Sequence, residues 1–537
     1  MRKRIFSLSC CVGSSFLSGF LLAVAFPNHN IEWLVWIGLV PLLVAVYGRH
    51  PIWAFLLSLL AGVTFFVGIC GWILESPGYR VLHHIVAGLF LGAPFGLFGL
   101  FFGYVCRRVG GGLALFAVPF LWVSMEYLRS NFSFLALPLG LLAHSQYLNP
   151  VLIQSSSFAG AYGLSFIIAM VNSAIAAIVL SFTQKARKLN HAAYTSLSKG
   201  ATVSLVCLAA TLFAFSFLYG QWALSNTSIG KTIRIALVQG NIDHEKKWNP
   251  SYARTIMQTY ADLTRTAAAE SPALIVWPEA ASPRAINIDR RLYSEVRQIV
   301  EETGTPLLLG STMHQKFKVQ SSKPMKLKNM AFLLSPGKAD DKQEYSKIIL
   351  VPFGEYVPME GIVPWSWIEV PELANYLPGK EITVFECPDF RFSATICWEN
   401  LFPGLVREFV NRGAEFIINI TNESWYRDTG GPYQFLAASV FRAVENRIYV
   451  LRCANTGISC FIDPHGRIVD RVKDVEGRDT YVQGILTQTV VPNNSKTVYT
   501  LCGDWLVWIS FAWLAILLIF ALAFRHGEEV DPPRNPW

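Results

Sequence analysis

Long, nearly unbroken apolar runs hold both ends of this chain, and short apolar runs separated by polar ones hold its middle. After the basic Met1-Arg2-Lys3-Arg4 an apolar stretch continues to Phe26, and further runs cover 31–47, 52–74, 84–106, 113–128, 151–182 and 201–224. Each is near or above the roughly 17 residues a helix needs to cross a hydrocarbon core. The runs at 31–47 and 113–128 are the shortest. The run at 151–182 is too long for one upright helix, so part of it is expected at the membrane interface. The basic start followed by an apolar run has the outline of a signal peptide, but no small-residue cleavage site follows and another span comes at once. It reads as a retained first helix. A last run covers 501–524. The pattern therefore predicts seven spans before the middle region and one after it.

In the middle region the period changes. Strand patterns at 233–239, 273–277, 306–312 and 331–335 alternate with amphipathic helical patterns at 252–269 and 292–303. A strand at 392–397 runs into a proline-initiated helix after Phe402. Next come a strand at 415–420, a helix at 433–446 and strands at 449–454 and 459–463. Apolar strands with helices between them predict an α/β domain whose sheet is buried by helices. No period of 20–50 residues repeats, and no stretch is low-complexity. The expected organisation is a transmembrane region at 1–226, a catalytic domain at 227–497, and a last transmembrane helix with a short tail at 498–537.

Composition sharpens the membrane reading. Apolar residues make up 52% of the chain and charged residues 15%, against roughly 25% charged in ordinary soluble domains. The formal charge of +8 does not point to nucleic acid, because no basic patch is interleaved with aromatic residues. Its lysines and arginines sit instead in alternate loops between the apolar runs. Arg49, then Arg107 and Arg108, then Lys185, Arg187, Lys188 and Lys199 fall on one side, and only Arg80 and Arg129 on the other. By the positive-inside rule the first side is cytoplasmic. Residues after 224 then lie outside the cytoplasm, with both termini inside. The 10 cysteines show no metal-ligand spacing. Cys453 and Cys460 flank a turn at Asn455-Thr456-Gly457, either as a disulfide or as two unpaired strand thiols. His83, His84 and His314 have no partners at ligand spacing.

Three stretches carry chemistry. Trp277-Pro278-Glu279 puts a carboxylate at the C-terminal end of an apolar strand, where α/β folds place their sites and where a raised pKa suits a general base. Taken alone, a helix N-cap or a surface acid is the ordinary reading. Tyr345-Ser346-Lys347 is followed by the proline-punctuated Leu350-Val351-Pro352-Phe353-Gly354-Glu355-Tyr356-Val357-Pro358. A lysine there can stabilise a thiolate and then an oxyanion, with Glu355 orienting it; a solvated strand-end lysine is the ordinary alternative. Phe392-Ser393-Ala394-Thr395-Ile396-Cys397-Trp398-Glu399-Asn400 reads as a buried strand ending in a sharp turn. A cysteine at such a turn stands beside backbone N–H groups able to hold an oxyanion, although an isolated cysteine is more often a small core residue.

Taken together, Glu279, Lys347 and Cys397 resemble the Glu-Lys-Cys triad of the nitrilase superfamily, in the same order and in the contexts Trp-Pro-Glu, Tyr-x-Lys and Ile-Cys-Trp-Glu. More narrowly, the chain resembles the bacterial apolipoprotein N-acyltransferase family. The stretch from Val351 to Pro358, Thr421-Asn422-Glu423-Ser424-Trp425-Tyr426, Gln239-Gly240-Asn241 and the downstream Trp248 are similar to its motifs, as is a nitrilase-like domain set between seven spans and one. The resemblance implies an αββα sandwich with Glu279 as proton acceptor, Lys347 and the Trp398 N–H as oxyanion stabilisers, and Cys397 as acyl carrier. Glu355, Trp398 and Glu399 are its supporting residues, and Trp248 and Trp425 lie on the substrate side. The family usually has Tyr after the cysteine, where this chain has Trp398.

The implied reaction is a ping-pong acyl transfer in the inner membrane, with the catalytic domain on the periplasmic side. A phospholipid donor, phosphatidylethanolamine-like and giving up its sn-1 chain, acylates Cys397. The amine of an S-diacylglyceryl-cysteine at an apolipoprotein N-terminus then takes the acyl group. A monomer without metal or cofactor is expected. Water must be kept out, and the stretches 362–368 and Trp425-Tyr426 are candidate lids, or simply packing for the domain. Two other classes compete. A membrane-tethered nitrilase-type amidase acting on small amides would share the triad without needing the spans. A non-catalytic transport or scaffold protein has no use for the triad, and transporters usually carry charges inside their spans.

Overall fold

The computed structural model describes residues 2–523 apart from 28, 77, 133, 188–196, 226–229, 315–325, 339–342 and 364–375. Its middle region contains two six-stranded sheets. The first is built from β1 (Ile233–Gln239), β2 (Leu274–Val276), β3 (Leu307–His314), β4 (Leu327–Leu334), β5 (Gln343–Ser346) and β12 (Gly484–Val490), in the order β12-β1-β2-β3-β4-β5. The second contains β6 (Phe385–Cys387), β7 (Phe390–Ile396), β8 (Phe416–Thr421), β9 (Tyr449–Ala454), β10 (Cys460–Ile462) and β11 (Ile468–Arg471), in the order β11-β10-β9-β8-β7-β6. In each sheet three adjacent strands are parallel, β1-β2-β3 and β7-β8-β9, and antiparallel strands flank them.

The two-residue period of a strand assigns each side chain to a layer. Ile235, Leu237, Leu274, Val276 and Leu308 point into a core shared with Ala394, Ile396, Ile418, Ile420 and Val450 of the second sheet. Their neighbours Ala236, Val238, Ile275, Trp277 and Leu307 point the other way, onto helices Ala253–Ala268 and Arg290–Thr303. The second of these helices is capped by its own sequence. The Asp289 carboxylate accepts the Leu292 N–H at 3.0 Å, and Gly304 takes the left-handed residue at its end, φ 63°, as such ends prefer. Helices Pro403–Asn411 and Gly431–Asn446 pack beside the second sheet. Cys453 and Cys460 are free thiols. The Cys453 sulfur lies 3.3 Å from the Val276 carbonyl of the other sheet, so it serves as a packing residue.

Eight spans were expected; among the described residues six helices are long and apolar enough to cross a membrane. They are Pro51–Ile69, Val81–Arg108, Gly111–Asn131, Leu152–Thr183, Lys199–Ser225 and Trp505–Ala523. The first expected span forms one helix of 23 residues, Arg2–Val24, with Leu8–Val24 its apolar part, and the second forms the shorter apolar segment Glu32–Val46. The second is broken into a 3-10 turn at Glu32–Leu34 and helices Val35–Gly38 and Val40–Val46. Pro41 has no N–H to continue a helical ladder from the preceding turn. The long run at 151–182 breaks as well, at Ala159 and Gly160, whose φ values are −130° and 67°. A Cβ on Gly160 would come within 2.7 Å of the Tyr499 ring. Glu126 and Arg129 are buried in the last turns of Gly111–Asn131, so that helix carries charge within its length.

Side chains of the α/β domain close the gaps these breaks leave. The Glu445 carboxylate accepts the Ala161 N–H at 3.0 Å, just past the break at Gly160. Gln434 donates to the Ile69 carbonyl at 2.6 Å, at the end of Pro51–Ile69, and accepts the Trp72 indole N–H at 3.2 Å. Helix Gly431–Asn446 is thus fastened directly to the apolar helices.

Candidate active site

The parallel strands of both sheets end toward the same place. Cys397 follows β7 and has φ 58°, an unusual conformation for a side chain with a Cβ that turns the residue sharply out of the strand. Its carbonyl is held at 3.0 Å by the Asn419 amide, which also donates to the Thr395 hydroxyl at 3.1 Å. Asn419 in turn accepts from Arg452 at 3.1 Å, and Arg452 is paired with Glu423 at 2.5 Å. All three are buried. A polar network, each member hydrogen-bonded to the next, thus props the turn from below, and the cysteine itself is half-buried.

Glu279 follows β2, and Lys347 follows β5 directly. The Lys347 ammonium lies 2.8 Å from Glu355 Oε1 and 3.9 Å from Glu279 Oε1. One amide nitrogen, that of Asn329 on β4, donates to both carboxylates, at 2.8 Å to Glu279 and 3.1 Å to Glu355. The second oxygen of Glu279 accepts the Asn422 N–H at 2.8 Å, and that of Glu355 the Val351 N–H at 2.8 Å. Burial alone would lower the Lys347 pKa, but the charges of Glu355, Cys397 and Glu279 outweigh it and hold the ammonium above its ordinary value. Burial pushes the Cys397 thiol up and Glu279 adds to the rise, while Lys347 opposes it. A thiolate here therefore needs a nearby acceptor for its proton and a cation to face it.

Glu399 ties the two halves together. Its Oε1 accepts from the Tyr345 hydroxyl at 2.9 Å and from the N–H groups of Ile348 and Ile349 at 2.6 and 3.0 Å, and its Oε2 accepts the Ile396 N–H at 2.8 Å. Burial raises its pKa to about 7 against the pull of Lys347 and these N–H groups. The Trp398 indole adds a hydrogen bond to the Ile349 carbonyl at 2.7 Å. The chain leaving Lys347 and the chain leaving Cys397 are thereby clamped to each other.

An apolar wall stands beside the sulfur. Trp398, Leu401, Phe435 and Ala438 of the α/β domain pack with Trp72 and Leu139 of the apolar region, and Cys397 and Tyr426 border the same cluster. Tyr426 stacks on Phe435 and meets the Trp72 ring edge-on, with centroids 4.5 Å apart. Of the candidate lids, Tyr426 is part of this wall. Ile362 is highly exposed, and residues 364–368 lie outside the described residues. Neither of the two tryptophans expected on the substrate side belongs to this wall. Trp425 packs on the His244 ring at 3.8 Å. Trp248 is 37% exposed and lines a cleft of about 560 Å³ with Tyr376, Ile288 and Leu327.

The structure brings Glu279, Lys347, Glu355, Cys397, Trp398 and Glu399 together. It adds residues that sequence reading missed, chiefly Asn329, Trp72 and the buried Lys247, whose ammonium donates to the Glu279 carbonyl at 3.0 Å, and it gives Asn422, read only as part of a motif, a contact with Glu279. Lys247 sits in Glu245-Lys246-Lys247-Trp248, where a run of charges reads as a solvated turn; only its place beside Trp248 hinted at more. Among the described residues no cluster of His, Cys, Asp and Glu could hold a metal ion.

Comparison with known proteins places these features in a family. Residues 18–174 match the model described as the apolipoprotein N-acyltransferase N-terminal domain, and residues 234–491 match the carbon-nitrogen hydrolase model. An apolipoprotein N-acyltransferase from Geobacter metallireducens is 34% identical over 517 residues, covering 95% of this chain and 94% of that protein. One from Chlorobaculum tepidum is 30% identical over 518 residues, covering 91% of this chain and 92% of that one. Among solved structures, an amidase of the nitrilase superfamily from Nesterenkonia is 18% identical, covers 53% of this chain and 98% of its own, and superposes with a TM-score of 0.37.

Proposed function

The chain belongs to the apolipoprotein N-acyltransferase family, and we propose that it transfers a phospholipid acyl chain to the amine of an S-diacylglyceryl-cysteine through a thioester on Cys397. Glu279 takes the thiol proton, and the sulfur attacks the sn-1 ester carbonyl of a phosphatidylethanolamine-like donor. Lys347 and the Trp398 N–H face the oxyanion. The carbon–oxygen bond breaks, and the lysophospholipid leaves with the proton held by Glu279. The lipoprotein amine then attacks the thioester and gives its proton to Glu279. The carbon–sulfur bond breaks, leaving an amide, and the proton returns to the sulfur. Glu355, Glu399 and Trp398 position the set, and Trp248 and Trp425 serve the substrate side.

The observation that carries this reading is the wall beside Cys397. Trp72 and Leu139 come from the apolar region and complete a cluster with Trp398, Leu401 and Phe435. A hydrolase of small soluble amides has no need for membrane helices against its nucleophile, whereas a thioester waiting for an amine gains from water being excluded. Residues 227–497 form the catalytic unit as an αββα sandwich, with 1–226 and 498–537 holding it in the inner membrane. The unit faces the periplasm and both termini face the cytoplasm. Five long helices precede it; five is odd, as the expected seven is, so the loop basic residues support the same orientation.

The test uses the full chain in detergent with labelled phospholipid. Once an acyl adduct has formed, a diacylated lipopeptide should discharge it to the peptide amine far faster than water does. Release mainly as free fatty acid, with turnover of small amides, would favour the amidase reading. A periplasm-active reporter fused after Asn226 should be active, and an inactive fusion would overturn the orientation.

A further inference from the structure

A second lysine reaches this site from the first sheet. Lys247 ends the short helix His244–Lys247 that follows β1, and it is 3% exposed. Taking a lysine this far from water is costly unless its charge is compensated. Its hydrogen bond goes to the backbone carbonyl of Glu279 at 3.0 Å, and its ammonium feels the Glu279 carboxylate and the Cys397 sulfur. The ammonium also lies over the Trp248 ring, 5.9 Å from its centroid.

The charges around the sulfur show what is missing without it. Glu279 and Glu355 bring two negative charges, and Lys347, bonded to Glu355 at 2.8 Å, brings one positive charge. Moving the thiol proton to Glu279 leaves Glu355 and a thiolate, again two negative charges against one cation. A thiolate in a buried site that is negative overall is strongly disfavoured. We infer that Lys247 is the second cation of the active site, a positioning residue that balances the negative charge shared between Glu279 and the Cys397 sulfur and so sets how readily the proton passes between them. The inference rests on the proposed roles of Glu279 and Cys397.

The groups facing Lys247 are Glu279 from the end of β2, Cys397 from the end of β7, and His244 on its own helix. Burial lowers the Lys247 pKa to about 8, with Glu279 and Cys397 pulling it back up. The balance is therefore lost as pH rises past that value. Alkylation of Cys397 by iodoacetamide, followed by peptide mass spectrometry on the full chain, reads the thiolate without any acyl substrate. The wild type should show a neutral plateau that falls near pH 8. Lys247→Met should lower the plateau about tenfold, one pKa unit of lost charge compensation, and abolish that fall. Lys247→Arg should keep the plateau and move the fall to higher pH, because a guanidinium does not deprotonate there. A folded Lys247→Met with the wild-type rate and profile would overturn the inference; if that variant does not fold, Lys247→Arg with an unmoved fall would do so. The two claims fail differently. A plateau that depends on Glu279 but not on Lys247 sinks this inference alone, whereas no plateau in the wild type and no effect of Glu279→Gln sinks the reading of the site itself.

Discussion

The Tyr345 hydroxyl donates to Glu399 Oε1 at 2.9 Å, joining a strand of the first sheet to the turn after β7, 54 positions apart. Through that contact and the N–H groups of Ile348, Ile349 and Ile396, Glu399 fixes the exit from Lys347 against the turn at Cys397. All four donors converge on one buried carboxylate, which links the chain leaving Lys347 to the turn at Cys397.

Glu399→Gln should therefore weaken both fold and reaction. The amide offers one oxygen where two were used, and its NH2 must face an N–H or a hydroxyl. Leaving such a donor unsatisfied costs about 1–3 kcal/mol. Thermal unfolding in detergent should show a lower Tm, and adduct formation should slow at least about tenfold. The pH dependence has a definite sign. The folded pKa of Glu399 is raised from 4.5 to about 7, so its contribution to stability is fully present below pH 4.5 and is lost as pH rises through about 7. The stability of the wild type relative to Glu399→Gln should fall across that window. A difference that stays flat, or one that grows with pH, would contradict the assignment.

Asn329→Leu keeps the branching at Cγ but removes the one nitrogen that bridges Glu279 and Glu355. The two carboxylates would then face each other without the hydrogen bonds that hold them in place. The rate of adduct formation at neutral pH should fall about 10- to 100-fold, the loss of one or two hydrogen bonds to charged groups. An unchanged rate would mean that Asn329 only packs.

Trp72→Ala separates the wall from the triad. The side chain touches Tyr426 and Phe435 and is bonded to Gln434, but no atom of it enters the Glu279–Lys347–Glu355 network. Acylation by phospholipid should fall about tenfold or more as the apolar surface opens to water. Alkylation of Cys397 by iodoacetamide should stay within about twofold, because the thiolate's charges are untouched. Equal losses in both would show that Trp72 supports the fold of the site and not the lipid.

Much of this was readable in advance. Glu279 and Cys397 follow the apolar strands β2 and β7, which local periodicity shows; Lys347 follows the polar Gln343–Ser346, which no strand pattern marks, and it is legible only through the resemblance of its motif. The cross-links between elements were not readable. Trp72 reaches Gln434 across 362 positions, and nothing in Gly71-Trp72-Ile73-Leu74 distinguishes a wall residue from one facing lipid. Asn329 lies at the polar start of β4, before the apolar run at 331–335 that marks the strand in the sequence, so it looks like a loop residue. Lys247 lies in a charged tripeptide that reads as solvated, because burial of a lysine depends on what packs over it. The expected second span was misread for a related reason. Hydropathy registers apolar content, whereas Pro41 decides that the run at 31–47 folds as short pieces.

The thioester on Cys397 is the central claim, and one measurement reaches it most directly. The full chain is incubated with phospholipid labelled in its sn-1 acyl chain, digested, and the labelled peptide identified. A hydroxylamine-sensitive acyl group on the peptide containing Cys397, absent in Cys397→Ala and strongly reduced in Glu279→Gln and Lys347→Ala, is the predicted result. Label that persists in Cys397→Ala, or that resists hydroxylamine, would contradict it.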